Sequence, residues 1–265
     1  TYIKPATYTF DEWFNFWIKN YKENSVKIGT IQTYKNYYNS CVKERFGDVK
    51  IDKIKGADIQ AFYNDLTKKG RKLSTIKVVK AFMSSCLKQA VKDELIARNP
   101  FDATSLPRKA GDTRGRTAMT REEQELFMEY AKESFLYNLF AVMLRTGMRS
   151  GEARDLRWSD IDKKQNVIHV TRTLQYINGV GFIDDAPKTK TSLRDIPLTA
   201  DVLKLLESQK NYWGFKVEKI DRYLFCTEDG SPLNTHLLQA EIDRVIRRIH
   251  KDGKDFPRIT SHVFR

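Results

Sequence analysis

The sequence predicts a multidomain protein: an all-α, four-helix N-terminal domain followed by a mixed α+β domain with a small antiparallel sheet. Three observations lead there. Apolar residues recur at helical spacing through the first hundred positions. A basic stretch interrupted by Pro107, Gly111 and Gly115 then breaks every period. Beyond it, helical stretches alternate with short β-branched runs bounded by turn residues. The expected division is a helical domain over 1–105, a linker over 106–118 and a second domain over 119–265. A chain of 265 residues is long enough to build two cores.

In the first domain, Thr9 and Glu12 form a T-x-x-E capping box ahead of Phe10, Trp13, Phe14, Trp17 and Tyr21 at helical spacing. A second helix is expected from near Thr30, with Ile31, Tyr34, Tyr38 and Val42 along one stripe. Asp58 to Leu66 gives a short third helix. The fourth starts at Ser74, carries Ile76, Val79, Phe82, Met83, Leu87 and Val91, and stops by Asn99-Pro100. Periodicity of this kind makes the aromatics core residues rather than platforms for stacking bases. Lys72, Lys77, Lys80 and Lys88 accompany the fourth helix, either as phosphate contacts or as a solvated face.

The second domain opens with another capping box, Thr120 to Glu123, and a nearly all-apolar helix, LYNLFAVMLRTG, follows. NVIHVT, GFIDDAP and LRDIPL read as strands, Asp201 onward as helix, YLFC as a short buried strand and HLLQAEIDRVIRRIH as a helix. In that last helix Leu237, Leu238, Ile242, Val245, Ile246 and Ile249 share the apolar side.

Composition narrows the function. The chain is 40% hydrophobic and 31% charged, with no run near the ~18 uninterrupted apolar residues of a membrane helix. Cys41, Cys86 and Cys226 are scattered among apolar residues, which argues against a disulfide framework or a zinc site and fits reduced thiols in a cytoplasmic protein. The net charge of +13 points toward polyanions, and its spread along the chain favours nucleic acid over a membrane surface. Arg108, Lys109, Arg114 and Arg116 give the linker the character of a strap along something negative. The chain starts at Thr1 without a Met, the mark expected of a piece of a longer protein.

Three segments carry the chemistry. In RTGMRSGEARD, Arg149 sits in a one-turn connection between two helices, with Glu152 one helical turn on. That pair is either an anion site at a helix N-terminus or an ordinary surface ion pair worth ~0.5 kcal/mol or less. In DDAPKTKTSLRDIPL, Lys188 and Lys190 are expected on a hairpin turn between two strands, as groove-reaching proton donors or as solvated lysines. In ITSHVFR, Thr260 or Ser261 is expected to cap a helix whose first turn presents His262 and Arg265 on one face.

T-G-M-R-x-G-E, P-K-T-K before R-x-I-P-L, and T-x-H-x-x-R, in that order, resemble the tyrosine recombinase (phage integrase) family. The likeness is in particular to integrases of conjugative transposons and integrative elements, and it covers nearly the whole chain. It implies a four-helix, SAM-like core-binding domain ahead of a tyrosine-recombinase catalytic domain. Residue by residue, it implies Arg149 and Arg265 on the non-bridging oxygens of the scissile phosphate, with His262 beside them. It further implies Lys188 as general acid toward the 5′-oxygen, with Lys190 the second choice, and Glu152 as the supporting acid.

The implied reaction is transesterification through a 3′-phosphotyrosine, which stores the bond energy and needs no cofactor, neither ATP nor metal. The implied partners are double-stranded DNA, a Holliday junction and three further copies in a homo-tetramer. None of the chain's 12 tyrosines lies after the H-x-x-R box. The expectation is therefore that this polypeptide binds DNA without cleaving it. A non-catalytic DNA-binding protein is the first rival reading. A metal-dependent nuclease using Asp184-Asp185 or Asp160/Asp162 is the second, and those residues lack convergent spacing.

Overall fold

The computed structural model describes residues 8–107, 118–185, 193–210, 212 and 223–264. The chain divides into two compact units, Thr1–Gly115 and Arg116–Arg265. The basic residues Arg108, Lys109, Arg114 and Arg116 fall outside the described residues.

In the first unit, helix α1 (Phe10–Trp17) begins at the reciprocal cap read from sequence: Glu12 N donates to Thr9 Oγ1 at 3.3 Å, and Thr9 N to Glu12 Oε2 at 2.8 Å. It runs on through a π-helical turn, Ile18–Lys22. Helix α2 (Ile28–Tyr37) starts ahead of Thr30 and passes through a second π-helical turn, Tyr38–Val42, into α3 (Lys43–Phe46). Helices α4 (Gly56–Lys68) and α5 (Leu73–Lys92) complete the unit.

The aromatic stripe is core. Phe10, Trp13, Phe14 and Trp17 are buried, with Phe14 stacked on Tyr38 at 4.1 Å and edge-on to Phe82 at 5.8 Å. The buried indole of Trp13 donates to the Cys86 carbonyl at 3.0 Å, so it carries no unsatisfied polar atom. Tyr21 departs from the stripe: it reaches the surface and its hydroxyl donates to Asp93 at 2.7 Å.

The second unit opens with α6 (Arg121–Tyr130), capped by Thr120 as expected, and α7 (Tyr137–Thr146), buried from Asn138 to Met143. Gly147, at φ +63°, ends α7 in the left-handed conformation that glycine adopts without a side-chain penalty. Helix α8 (Ser150–Asp155) follows after a single turn. Helices α9 (Ala200–Lys210) and α10 (Thr235–Lys251) come later, and Asn234 caps α10 by accepting from Leu237 N at 2.7 Å. Among the described residues, no helix is long and apolar enough to cross a membrane.

The strands differ from the sequence reading. There are two antiparallel sheets: β1 (Ile161–Asp162), β2 (Val167–Val170) and β5 (Arg194–Pro197) in the order β1-β2-β5, and a hairpin of β3 (Thr173–Ile177) with β4 (Gly181–Asp185). Strand β3 was not among the expected strands. Its partner β4 returns across the Asn178-Gly179 turn, with Tyr176 opposite Phe182. The pairing also corrects the expected hairpin turn at PKTKTS, 187–192. Strand β4 pairs with β3 and β5 with β2, so the segment carrying Lys188 and Lys190 joins two different sheets. In YLFC, Tyr223 and Cys226 form isolated bridges, to Arg157 and Pro232, in place of a strand.

Candidate functional site

Arg149 occupies the N-cap position of α8, and its place follows from its neighbours. Gly147 turns the chain sharply off the buried helix α7, and α8 then starts at Ser150. Gly151 lets β3 pass close beneath. A Cβ there would lie 2.4 Å from Thr173 Oγ1 and 3.2 Å from the Leu174 carbonyl oxygen.

Glu152 is the centre of the site. Its side chain is only 3% exposed, and both oxygens are taken. Arg149 donates from its backbone N to Oε2 at 2.9 Å and from Nη1 to Oε1 at 2.8 Å. Arg194, on β5, forks onto the same carboxylate, Nη1 to Oε1 at 3.1 Å and Nη2 to Oε2 at 2.8 Å. Burial alone would raise the Glu152 pKa. The Arg194 hydrogen bonds, then those from Arg149, more than offset that burial and hold the carboxyl below its ordinary value.

This buried, two-arginine arrangement is not the exposed ion pair that the Arg149–Glu152 spacing alone allows. The Arg149 side chain remains 46% exposed, and its Nε and Nη2 make no hydrogen bond among the described residues. What results is a guanidinium fixed along one edge and open along another, suited to a fork onto an anion.

Arg154, on the same helix, has another task. It is 3% exposed and donates to the carbonyls of Ser150 at 3.1 Å, Leu233 at 2.5 Å and Leu174 at 3.2 Å. Burial brings its pKa down to about 10. It ties α8 to β3 and to the residue before the α10 cap.

Three further carboxylates near α8 are committed within the fold. Asp160 accepts from Arg172 Nη2 at 2.8 and 2.7 Å, and Asp162 accepts from the backbone N of Lys164 and Gln165. Asp184 pairs with Arg157 and accepts from the Tyr223 hydroxyl at 3.1 Å. Among the described residues no three His, Cys, Asp or Glu side chains are grouped as metal ligands. Of the acidic residues in the nuclease reading, Asp160, Asp162 and Asp184 thus serve as partners for arginines and turns, and the Asp185 side chain lies outside the described residues.

His262 lies in a short 3-10 helical turn, Ser261–Phe264. The turn is anchored by Phe264, which stacks on Phe140 of α7 at 5.3 Å and meets Phe127 of α6 edge-on at 5.2 Å. That anchor leaves the His262 side chain exposed. Helix α7 therefore holds the His262 turn through Phe140, and the turn bearing Arg149 leaves its C-terminal end. No hydrogen bond joins His262 to the Arg149–Glu152–Arg194 group among the described residues. Arg265, Lys188 and Lys190 lie outside the described residues.

In the first unit, Lys72, Lys77 and Lys88 are exposed and Lys80 is partly so. Positions 77, 80 and 88 share one face of α5 by helical geometry. Sequence reasoning missed the role of Arg194. It stands in the R-x-I-P-L run, but nothing in that run says which carboxylate it meets 42 residues away.

Comparison with known proteins gives two family-model matches: the phage integrase family over residues 117–265 and the phage integrase N-terminal SAM-like domain over residues 9–67. A tyrosine recombinase XerC-like protein of Caldanaerobacter subterraneus is 26% identical over 91% of this chain and 67% of its own length. The transposase of transposon Tn916 from Enterococcus faecalis is 24% identical over 84% of this chain and 57% of its own. The chain thus spans between about half and two thirds of the length of these relatives. Among solved structures, the Tn1549 transposon integrase in complex with a circular intermediate DNA superposes with a TM-score of 0.84. It is 25% identical and covers 97% of this chain and 84% of that one.

Proposed function

Because the chain belongs to the phage integrase family, we propose that it supplies the core-binding and catalytic parts of a site-specific tyrosine recombinase of a bacterial mobile element. Such an enzyme integrates and excises DNA by cutting and rejoining strands through a 3′-phosphotyrosine. The observation that carries the reading is the half-exposed guanidinium of Arg149, held on the buried carboxylate of Glu152 with one edge open.

In this reading Arg149 binds a non-bridging oxygen of the scissile phosphate, and Arg265 and His262 complete the cradle. Cations placed ahead of the reaction stabilise the charge that builds on the pentacoordinate phosphorus without reorganising. Lys188, or Lys190 in its place, protonates the leaving 5′-oxygen. The helical unit is the DNA-binding domain over 1–105, with Lys72, Lys77, Lys80 and Lys88 on phosphates. The linker 106–118 tracks the duplex through Arg108, Lys109, Arg114 and Arg116. The assembly is a homo-tetramer on paired sites that passes through a Holliday junction in the bacterial cytoplasm. The tyrosine that the family resemblance places after the H-x-x-R box is not among residues 1–265.

The test is covalent capture. A polypeptide extended to include its nucleophile, mixed with nicked duplexes from the ends of the element that encodes it, is expected to give detergent-resistant protein–DNA adducts. Arg149→Lys should bind the duplex nearly as well, yet form adduct ~10²–10³ times more slowly, because a point charge does not replace a fork. Duplex binding without adduct, on every such substrate, would leave the non-catalytic DNA-binding reading.

A further inference from the structure

Glu152 joins two parts of the second unit. Arg149 reaches it from the α7–α8 turn, and Arg194 reaches it from β5, which is tied to β2 with Arg194 opposite Val170. The Arg149 contact uses one guanidinium nitrogen and the backbone amide, whereas Arg194 commits two nitrogens to the two oxygens. The Arg194 fork therefore fixes the plane of the carboxylate, since two parallel N–H···O bonds allow one orientation. Arg149 then docks on the remaining lone pairs.

We propose that Arg194 is a positioning residue: through its fork on Glu152 it sets the direction in which Arg149 presents its open edge to a phosphate. This inference rests on the reading of Arg149 as the phosphate-binding arginine. Arg194 itself need not touch DNA. It also stands four positions after Lys190 in the sequence, so the strand that orients Arg149 is the one into which the lysine-bearing segment leads.

Without Arg194, Glu152 stays buried and keeps only Arg149 as a charged partner. Arg149 and Arg194 are the charged groups that face it among the described residues. Burial then dominates, and the carboxyl takes up a proton at a higher pH than in the wild type. A protonated Glu152 is a poorer acceptor for the Arg149 guanidinium.

Two measurements decide the matter separately. The first uses the DNA-free chain and reads the guanidinium protons of Arg149 by 15N-resolved NMR. Arg194→Gln should bring Arg149 exchange close to that of a free arginine, leaving the Trp13 indole signal unchanged. Glu152→Gln should do the same, and the double variant should add nothing further. If Arg149 exchange in Arg194→Gln matches the wild type, the inference is overturned, whether or not the chain is a recombinase.

The second uses single-turnover adduct formation by the nucleophile-bearing protein. Arg194→Gln should slow the reaction about 10- to 100-fold, the usual loss when an outer-shell partner is removed, with duplex affinity within about threefold of wild type. The acid limb of its pH–rate profile should move to higher pH. Arg194→Lys should restore the limb, because charge suffices there, but not the full rate, because the fork is missing. A loss of affinity equal to the loss of rate, with the acid limb unmoved, would reduce Arg194 to a stabilising residue. If the wild type gives no adduct, the recombinase reading falls, while the NMR result still judges Arg194.

Discussion

Two buried carboxylates lie one turn apart on α8 and behave in opposite ways. Glu152 accepts from two arginines on both oxygens, and its pKa is held down. Asp155, as deeply buried, has no hydrogen bond on either oxygen. Its nearest cations are Arg157 at 3.6 Å and Arg172 at 3.9 Å. Burial, then the charge of Asp184, pushes its pKa up to about 6. The same depth and similar neighbours give opposite shifts, so depth does not set the charge state here. Directed hydrogen bonds do. At Glu152 they hold a charge in place for Arg149; at Asp155 the ion contacts lack that geometry.

The contrast should break most visibly at Glu152. Glu152→Ala leaves two guanidinium groups facing an empty buried spot, and loss of one partner of a buried pair costs about 3 kcal/mol. Both arginines are partly solvated, which softens that figure. Urea unfolding at pH 7 reads it directly. A loss no greater than that of Asp155→Asn would mean that the two sites are equivalent after all.

Next in size is Gly151→Ala. The new methyl meets Thr173 Oγ1, and overpacking of this kind costs roughly 1–3 kcal/mol. Adding Thr173→Ala should recover much of the loss, showing that the seat of α8 on β3 is steric and independent of the charges. Absence of any recovery would place the strain elsewhere.

The pH dependence of stability sharpens the comparison through its sign. Asp155 has a folded pKa above its unfolded value, so the native state holds a proton that the unfolded chain has released. Stability from this group is present at low pH and is lost as pH rises from about 4 to about 6. Asp155→Asn should flatten that part of the profile. Glu152 runs the other way: its contribution is present above the ordinary glutamate range and is lost as pH falls through its lowered folded pKa. A steeper fall between pH 4 and 6 in the Asn variant would contradict the assignment at Asp155.

The smallest effects belong to the first unit, where Lys77 and Lys88 are exposed on α5 and Lys80 is partly so. Lys77→Gln, Lys80→Gln and Lys88→Gln should each reduce the salt slope of duplex binding by ~0.9 if the residue contacts a phosphate. An unchanged slope for all three variants would make that face of α5 a merely solvated one.

Much of this architecture is readable in the sequence because its causes are local. The Thr9 and Thr120 caps, the apolar helix 137–146 and its end at Gly147 each depend on residues within one or two turns. The Arg149–Glu152 pair is readable for the same reason, since three-residue spacing puts both on one helical face. Strand β3 was missed although Asn178-Gly179 is a hairpin signal. It follows β2 after only two residues, and its alternation merges with that of the preceding strand. The hairpin turn expected at 187–192 is absent for a related reason: β4 and β5 do not pair. Adjacent strands in sequence usually pair, and here β5 crosses instead to β2.

The helices, their caps, the basic charge and the order of the recombinase-like segments all follow from short-range spacing and composition. Long-range folding sets which carboxylate Arg194 meets, the opposite pKa shifts of Glu152 and Asp155, and the parting of β4 and β5 into separate sheets. Those outcomes depend on directional hydrogen bonds between residues tens of positions apart, and no periodicity along the chain encodes them.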